Sequence, residues 1–229
     1  MGFYLMSFIE TDLGFIKEQD NHLLFFGKNS ATLDQIQKAY PKFTFRGVHQ
    51  KHTDICVPST TDSSDVVADA HFTTQSDVAL LVKTADCQPI LAYNNSKNLV
   101  LAVHAGWRGV ENQITSKALL QCHLQQADIF IGPCIQQSSF EVDLDVKEQL
   151  EKICKMDHQS QTFENTFTTK NDKCYIDLTE IVIAEIKAAR INATVSLLPF
   201  DTMTDLRFHS YRRDKLNSGR NLSFIVRLS

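Results

Sequence analysis

Residues 80–109 read LLVKTADCQPILAYNNSKNLVLAVHAGWRG, and the reading of this stretch decides the fold. Two apolar runs, residues 78–82 and 99–103, carry the β-branched and aliphatic content of buried strands. The turn-rich Asn94-Asn95-Ser96-Lys97-Asn98 lies between them and predicts a hairpin-like unit. Thr84-Ala85-Asp86-Cys87 sits at one end of this unit. His104-Ala105-Gly106-Trp107-Arg108-Gly109 follows the second run. Adjacent strands are therefore expected to deliver a Cys and a His. The glycine-punctuated segment beyond them carries an arginine and leads into a helix. A thiolate, an imidazole and an anion-binding group come within reach of one another.

Upstream, residues 23–27 predict a short strand, and Ser30 or Thr32 caps a helix that runs to about Ala39 and stops at Pro41. Residues 43–45 and 55–57 read as extended, the second stopped by Pro58, and residues 60–64 as a polar loop. Ala68-Asp69-Ala70 opens a turn before the central unit. Downstream, residues 110–124 read as one amphipathic helix with Ile114, Ala118, Leu119 and Cys122 on one face. Residues 128–131 predict a strand followed by a tight Gly132-Pro133-Cys134 turn. Residues 143–153 predict a helix with Leu144, Val146, Leu150 and Ile153 inward, and residues 159–173 read as irregular. Asp177 caps a helix over residues 178–191. Residues 195–198 predict a strand, 208–213 a short charged segment, and 223–228 a half-exposed closing strand. Strands and helices mix without a regular βαβ rhythm and without internal repeats. The expected fold class is α/β (α+β): a single-domain mixed β-sheet sandwich with flanking helices over residues 1–229.

The chain has 229 residues, 43% hydrophobic and 22% charged, which is ordinary globular composition able to bury a sizeable core. A net charge of −4 gives no basic footprint for nucleic acid. No stretch reaches the roughly 18 apolar residues of a membrane span. The N-terminal MGFYLMSFIETDLG has no basic region followed by an apolar core and a cleavage site. A cytoplasmic chain with six free thiols is the expectation, and Cys122 and Cys154 read as small core residues.

Three constellations carry chemistry. His52, Cys87 and His104 are the residue types that hold zinc, and two His with one Cys leave a coordination position open, as in a catalytic site. His49 competes with His52, while His71 reads as a strand histidine. Cys87 and His104 alternatively form a thiol nucleophile and its base. Asp86 precedes the thiol as an orienter or turn former, and Cys134 is a second thiol that lines the same site or fills a buried turn. The second constellation is Gly106-Trp107-Arg108-Gly109, where backbone amides and a planar guanidinium suit phosphate or carboxylate. The third is Ser210-Tyr211-Arg212-Arg213 with Gly219-Arg220, an aromatic beside adjacent arginines that can bind an anion and stack a ring.

TADCQPILAY, VLAVHAGWRG, IGPCI with Phe140-Glu141-Val142, SYRRD and SGR together resemble the YfiH-like laccase-domain family. It is also called the multicopper polyphenol oxidase or purine nucleoside phosphorylase family. The resemblance runs from about Gln50 to the C-terminus. It implies metal ligands Cys87 and His104 and, because the family's Gln-x-His motif matches Gln50-Lys51-His52, selects His52 over His49. It implies a mixed-sheet fold related to the cytotoxic necrotizing factor type of cysteine hydrolase. It also implies phosphorolysis of adenosine, inosine and methylthioadenosine, with adenosine deamination. The expected cofactor is zinc, with copper able to displace it. The expected catalytic residues are Cys87, His104, Asp86 and Arg108, and the expected substrate-binding residues are Trp107, Arg108, Tyr211, Arg212 and Arg213. The partners are a purine nucleoside and phosphate. The alternatives are a Cys87-dependent amidase or cell-wall peptide-editing hydrolase and a copper-dependent polyphenol oxidase. A zinc-stabilised interaction module without catalysis is a further alternative, against which an open coordination position argues. Eight His without a His-x-His pair suit a multicopper cluster poorly. The sequence departs from the family pattern at Lys51, Gln136 and Asp201-Thr202, where an apolar residue, Gly and Cys-Thr are usual.

Overall fold

The computed structural model describes residues 3–4, 8–59, 65–154, 165–170 and 173–229. The first half of the chain builds β1 (Phe3–Tyr4), β2 (Ile9–Glu10), β3 (Gly14–Gln19), β4 (His22–Gly27), α1 (Leu33–Ala39), β5 (Thr44–Arg46), β6 (Cys56–Pro58) and β7 (Ala70–Thr73). The centre supplies β8 (Val78–Thr84), β9 (Gln88–Asn94), β10 (Leu99–Ala105), α2 (Trp107–Glu111), α3 (Ile114–Gln121) and β11 (Gln126–Ile131). The remainder adds β12 (Glu141–Val142), α4 (Leu144–Cys154), β13 (Phe167–Lys170), β14 (Lys173–Ile176), α5 (Leu178–Ala188), β15 (Asn192–Leu197), α6 (Tyr211–Asp214) and β16 (Asn221–Arg227). No helix among the described residues is long and apolar enough to cross a membrane.

Two mixed sheets carry the fold. One has the order β1-β15-β11-β9-β10-β7-β6, the other β2-β3-β4-β16-β8-β5. Because side chains alternate along a strand, each central strand feeds two cores. Leu80 and Val82 of β8, Leu24 and Phe26 of β4, Leu91 and Tyr93 of β9 and Val100 and Ala102 of β10 meet between the sheets. Leu101, Val103 and Ala105 of β10 face the other way and pack on α3 and α5 through Ile114, Ala118, Ile181 and Val182. Leu81, Phe224 and Leu23 pack outward under Ile36 of α1. The layers thus run helix, sheet, sheet, helices, which is the mixed sandwich with flanking helices that the sequence predicts.

Several local expectations are corrected. The two apolar runs of the central stretch are not neighbours: β8 lies in one sheet and β10 in the other. The Asn94–Asn98 turn joins β10 to β9, with Val103 opposite Ile90 and His104 opposite Pro89. Pro89 hides β9 from the sequence; its backbone edge faces β11, where its carbonyl accepts the Gly132 N–H, and its missing donor falls just past the last β9–β11 pair, Ile90–Ile131. The helix expected over residues 110–124 breaks into α2 and α3 at Gln113, whose φ is 59°. Leu144 is exposed rather than inward. The closing strand β16 is buried on both faces because it lies between β4 and β8. The segment read as irregular holds the β13–β14 hairpin, although its residues 159–164 and 171–172 lie outside the described residues, as does the 60–64 loop.

Candidate active site and metal centre

Three chain segments converge at one end of the sandwich. The 85–87 turn carries the chain from β8 in one sheet to β9 in the other, and Asp86 makes the bend with φ 81°. Cys87 sits at the exit of that turn. His104 is the penultimate residue of β10 and is buried. His52 lies on the loop before β6, at φ 60°. The ligand atoms of His52, Cys87 and His104 all lie within 4.8 Å of one another. Cys87 Sγ is 3.7 Å from His52 Nε2, and the two imidazole rings stand edge to face, 4.9 Å between centroids.

One carboxylate positions both imidazoles. Asp69, fully buried just before β7, accepts His104 Nδ1 at 2.7 Å. It also accepts the backbone N–H groups of Lys51, His52 and Thr53 and the Thr53 hydroxyl, at 2.6–3.2 Å. The three consecutive amides wrapped on one carboxylate hold His52 in its left-handed conformation. The bond to Nδ1 leaves His104 Nε2 for the cluster. Gln50 fixes the same loop from the other side, its amide pairing with both the N–H and the carbonyl of Lys83 like a strand residue. This is a physical reason for a glutamine two residues before the histidine. Gly106 closes the arrangement: a Cβ there would stand 2.7 Å from the His52 ring and 2.9 Å from Cys87 Sγ.

The electrostatics follow from these contacts. Burial opposes a Cys87 thiolate, but the facing His104 and His52 imidazoles outweigh it and pull the thiol below its usual range. Burial likewise opposes a charged His104, and the Cys87 sulfur and the Asp69 carboxylate push its pKa up instead. Asp69 resists burial through its hydrogen bonds to His104 and Thr53, which hold it below the usual carboxylate range. One thiolate and two imidazoles, with a carboxylate orienting one ring, fit a three-ligand catalytic zinc site with an open position.

The open side faces a cavity of about 850 Å³. Trp107, Arg108, Tyr211, Arg212 and Asp86 all line it, with the apolar Ile135, Phe140 and Val142. Arg108 lies over the Trp107 ring, 4.3 Å from its centroid. Arg212 donates to the Glu141 carbonyl at 2.8 Å and lies over Phe140. The Asp86 carboxylate is committed to the Thr202 hydroxyl and the Arg212 N–H, so it ties the Cys87 turn to α6.

Arg213 does not belong to this wall. Its guanidinium pairs with Asp214 and donates to the carbonyls of Thr202, Met203 and Phe208, which fastens the 202–208 loop. Cys134 is buried beside a separate small cavity, where burial pushes its thiol up to about 12. His49 lines the main cavity without joining the ligand cluster. His71 is sealed in β7, and burial lowers its pKa to about 4. Sequence reasoning missed Asp69, whose signal was a lone acid between alanines in an otherwise apolar stretch. It also passed over Lys83 and Lys215, exposed lysines whose place on the wall depends on the fold.

The family model described as multi-copper polyphenol oxidoreductase laccase matches residues 12–228. A purine nucleoside phosphorylase of Clostridium acetobutylicum is 27% identical over 78% of this chain and 75% of its own length. Those of Haemophilus influenzae and Staphylococcus epidermidis are 28% and 30% identical over 77% and 69% of this chain. The match spans 71% of the first and 60% of the second. In fold, the chain is similar to the crystal structure of YlmD from Geobacillus stearothermophilus, with a TM-score of 0.83 at 22% identity over 97% of this chain and 99% of that one. YfiH from Bacillus licheniformis gives 0.81 at 20% identity over 96% and 98%.

Proposed function

The chain belongs to the multi-copper polyphenol oxidoreductase laccase family, and from that premise we propose that it is a zinc-dependent purine nucleoside enzyme. It phosphorolyses adenosine, inosine and methylthioadenosine and also deaminates adenosine. The observation that carries this reading is the opening of one His-Cys-His cluster onto a cavity walled by arginines and aromatic rings. The relatives named purine nucleoside phosphorylase support it.

Zinc bound by His52, Cys87 and His104 supplies Lewis acidity to the site. The chain's own residues do the rest. Arg108 and Arg212 neutralise and orient phosphate against the anomeric carbon, and Trp107, Phe140 and Tyr211 flank the purine ring. Asp86 holds the Cys87 turn and Arg212 in register, and Asp69 holds the His104 ring. Catalysis then rests on positioning and charge neutralisation.

An oxidase of phenols needs several coppers to store electrons. Among the described residues, His52, Cys87 and His104 are the one group of three or more His, Cys or acidic donors close enough to share an ion. One observation favours a second reading: Cys87, His104 and Asp69 stand in the order of a thiol nucleophile, its base and an orienting acid. The second imidazole, 3.7 Å from the sulfur, favours a metal ligand over a nucleophile. The test is the chain reconstituted with zinc or with copper and offered nucleosides, a phenol and an amide in turn. The zinc form consumes nucleosides on this reading. A zinc form inert toward nucleosides with a copper form that oxidises the phenol restores the oxidase, and metal-independent amide cleavage lost in Cys87→Ser restores the hydrolase.

A further inference from the structure

The cavity holds more positive charge than one phosphate needs. Five cationic side chains line it, Lys83, Arg108, Arg212, Lys215 and Arg220, in a chain whose net charge is −4. Asp86 is the single acidic residue on the wall among the described residues, and both its oxygens are already hydrogen-bonded. The lining therefore sets five cations against one carboxylate.

These cations fall into two groups by their place in the fold. Arg108 and Arg212 stand with the rings, over Trp107 and Phe140. Lys83 and Arg220 come from the β8–β16 edge, and Lys215 from the turn that links α6 to it. Lys83 lies near the end of β8, opposite Leu222 of β16. Arg220 directly precedes β16, and Lys215 opens the short turn between α6 and that strand. The Lys83 and Lys215 ammonium groups have no acidic partner among the described residues. Among the described residues, Arg220 bonds only to its neighbouring carbonyls of Ser218 and Gly219. Three residues lie between Lys83 and Cys87, so their Cα atoms are at most about 14 Å apart. The volume of about 850 Å³ is near the upper end of small-molecule sites, which gives room for a ligand that carries its own phosphate.

We propose that Lys83, Lys215 and Arg220 form an outer anion subsite that takes a phosphate carried by the ligand itself, so that the cavity accepts nucleoside 5′-phosphates. This rests on the purine reading for the ring, while the charge on the wall is independent of it. Like charges gathered in a partly enclosed cleft raise the local concentration of an anionic ligand and add charge-assisted hydrogen bonds once it docks.

The test is equilibrium binding of adenosine, adenosine 5′-monophosphate and inorganic phosphate to the zinc-loaded protein at low salt. It is repeated on Lys83→Gln with Arg220→Gln, two exposed positions whose thermal melting verifies folding. The monophosphate binds at least about tenfold tighter than adenosine, the equivalent of one charged hydrogen bond, and the double variant brings the two within about twofold. Equal affinity for the two ligands in the parent, or an unchanged ratio in the double variant, overturns the subsite. Displacement of the monophosphate by inorganic phosphate at matching concentrations also overturns it, since the cations then hold a free ion. Adenosine phosphorolysis, measured alongside, reads the purine assignment separately: its loss with monophosphate preference retained breaks that assignment and supports the subsite.

Discussion

Asp69 and Glu185 are equally sealed from solvent, and their pKa values shift in opposite directions. Asp69 collects five donors, including an imidazole and three consecutive amides, and its pKa stays low. Glu185, on α5, accepts the Ser116 N–H at 2.6 Å where α3 begins, and its second oxygen finds no partner. Burial pushes its pKa up to about 8, against the smaller pull of the Ser116 and Thr115 contacts. The local difference is the number of donors, not depth. At the site, the chain arranges loops around a carboxylate that must stay ionised to orient a ligand. At the helix interface, an acid held toward its neutral form by burial caps a helix whose Gln113 makes no side-chain cap bond.

The largest effect that breaks this contrast is loss of the cluster that Asp69 serves. Cys87→Ala is expected to abolish stoichiometric zinc binding, measured by elemental analysis after dialysis, while the Glu185 interface keeps the fold. Retained stoichiometry would mean that Asp69 orients no metal ligand. Asp69→Asn is the sharper probe, because it keeps the shape and removes the charge. Zinc affinity, read by competition with a chelator, should fall about ten- to a hundredfold. Glu185→Gln should leave it unchanged.

Arg108→Lys keeps the charge and loses the planar fork, so the KM for phosphate should rise about tenfold with Tm unmoved. An unchanged KM assigns Arg108 to its stack on Trp107 alone. The smallest effect belongs to Glu185. Its folded pKa lies above the usual carboxylate value of 4.5, so the native state holds the proton more tightly than the unfolded chain. The stability this confers is present below about pH 4.5 and is lost as pH rises through about 8. Glu185→Gln cannot lose it. Its Tm should therefore gain steadily on the parent as pH rises from 5 to 8. A gap that stays constant across that range would mean that Glu185 is ionised throughout.

What the sequence disclosed and what it hid divide along similar lines. Cys87 and His104 were legible because each flanks a strong apolar run, and helix caps at Thr32 and Asp177 form as their residue types predict. The strand β9 was hidden by Pro89, whose missing donor falls just past the end of the β9–β11 pairing and breaks no bond within it. Arg212 and Arg213 are adjacent and chemically identical. Only the direction of α6 sends one to the cavity and the other under the 202–208 loop. Asp69 was invisible as a site residue because its partner His104 lies 35 positions away, a contact made by the β7–β10 pairing.

The central claim is that one zinc centre beside an arginine-walled pocket drives phosphorolysis. The measurement that tests it most directly is release of free base from inosine by the zinc-loaded, copper-free protein, with phosphate supplied and withheld. Inosine carries no 6-amino group, so deamination does not contribute. The account predicts base release that rises with phosphate, stops without it, and disappears in His104→Ala. Base release that is indifferent to phosphate, or none at all from fully zinc-loaded protein, would contradict it.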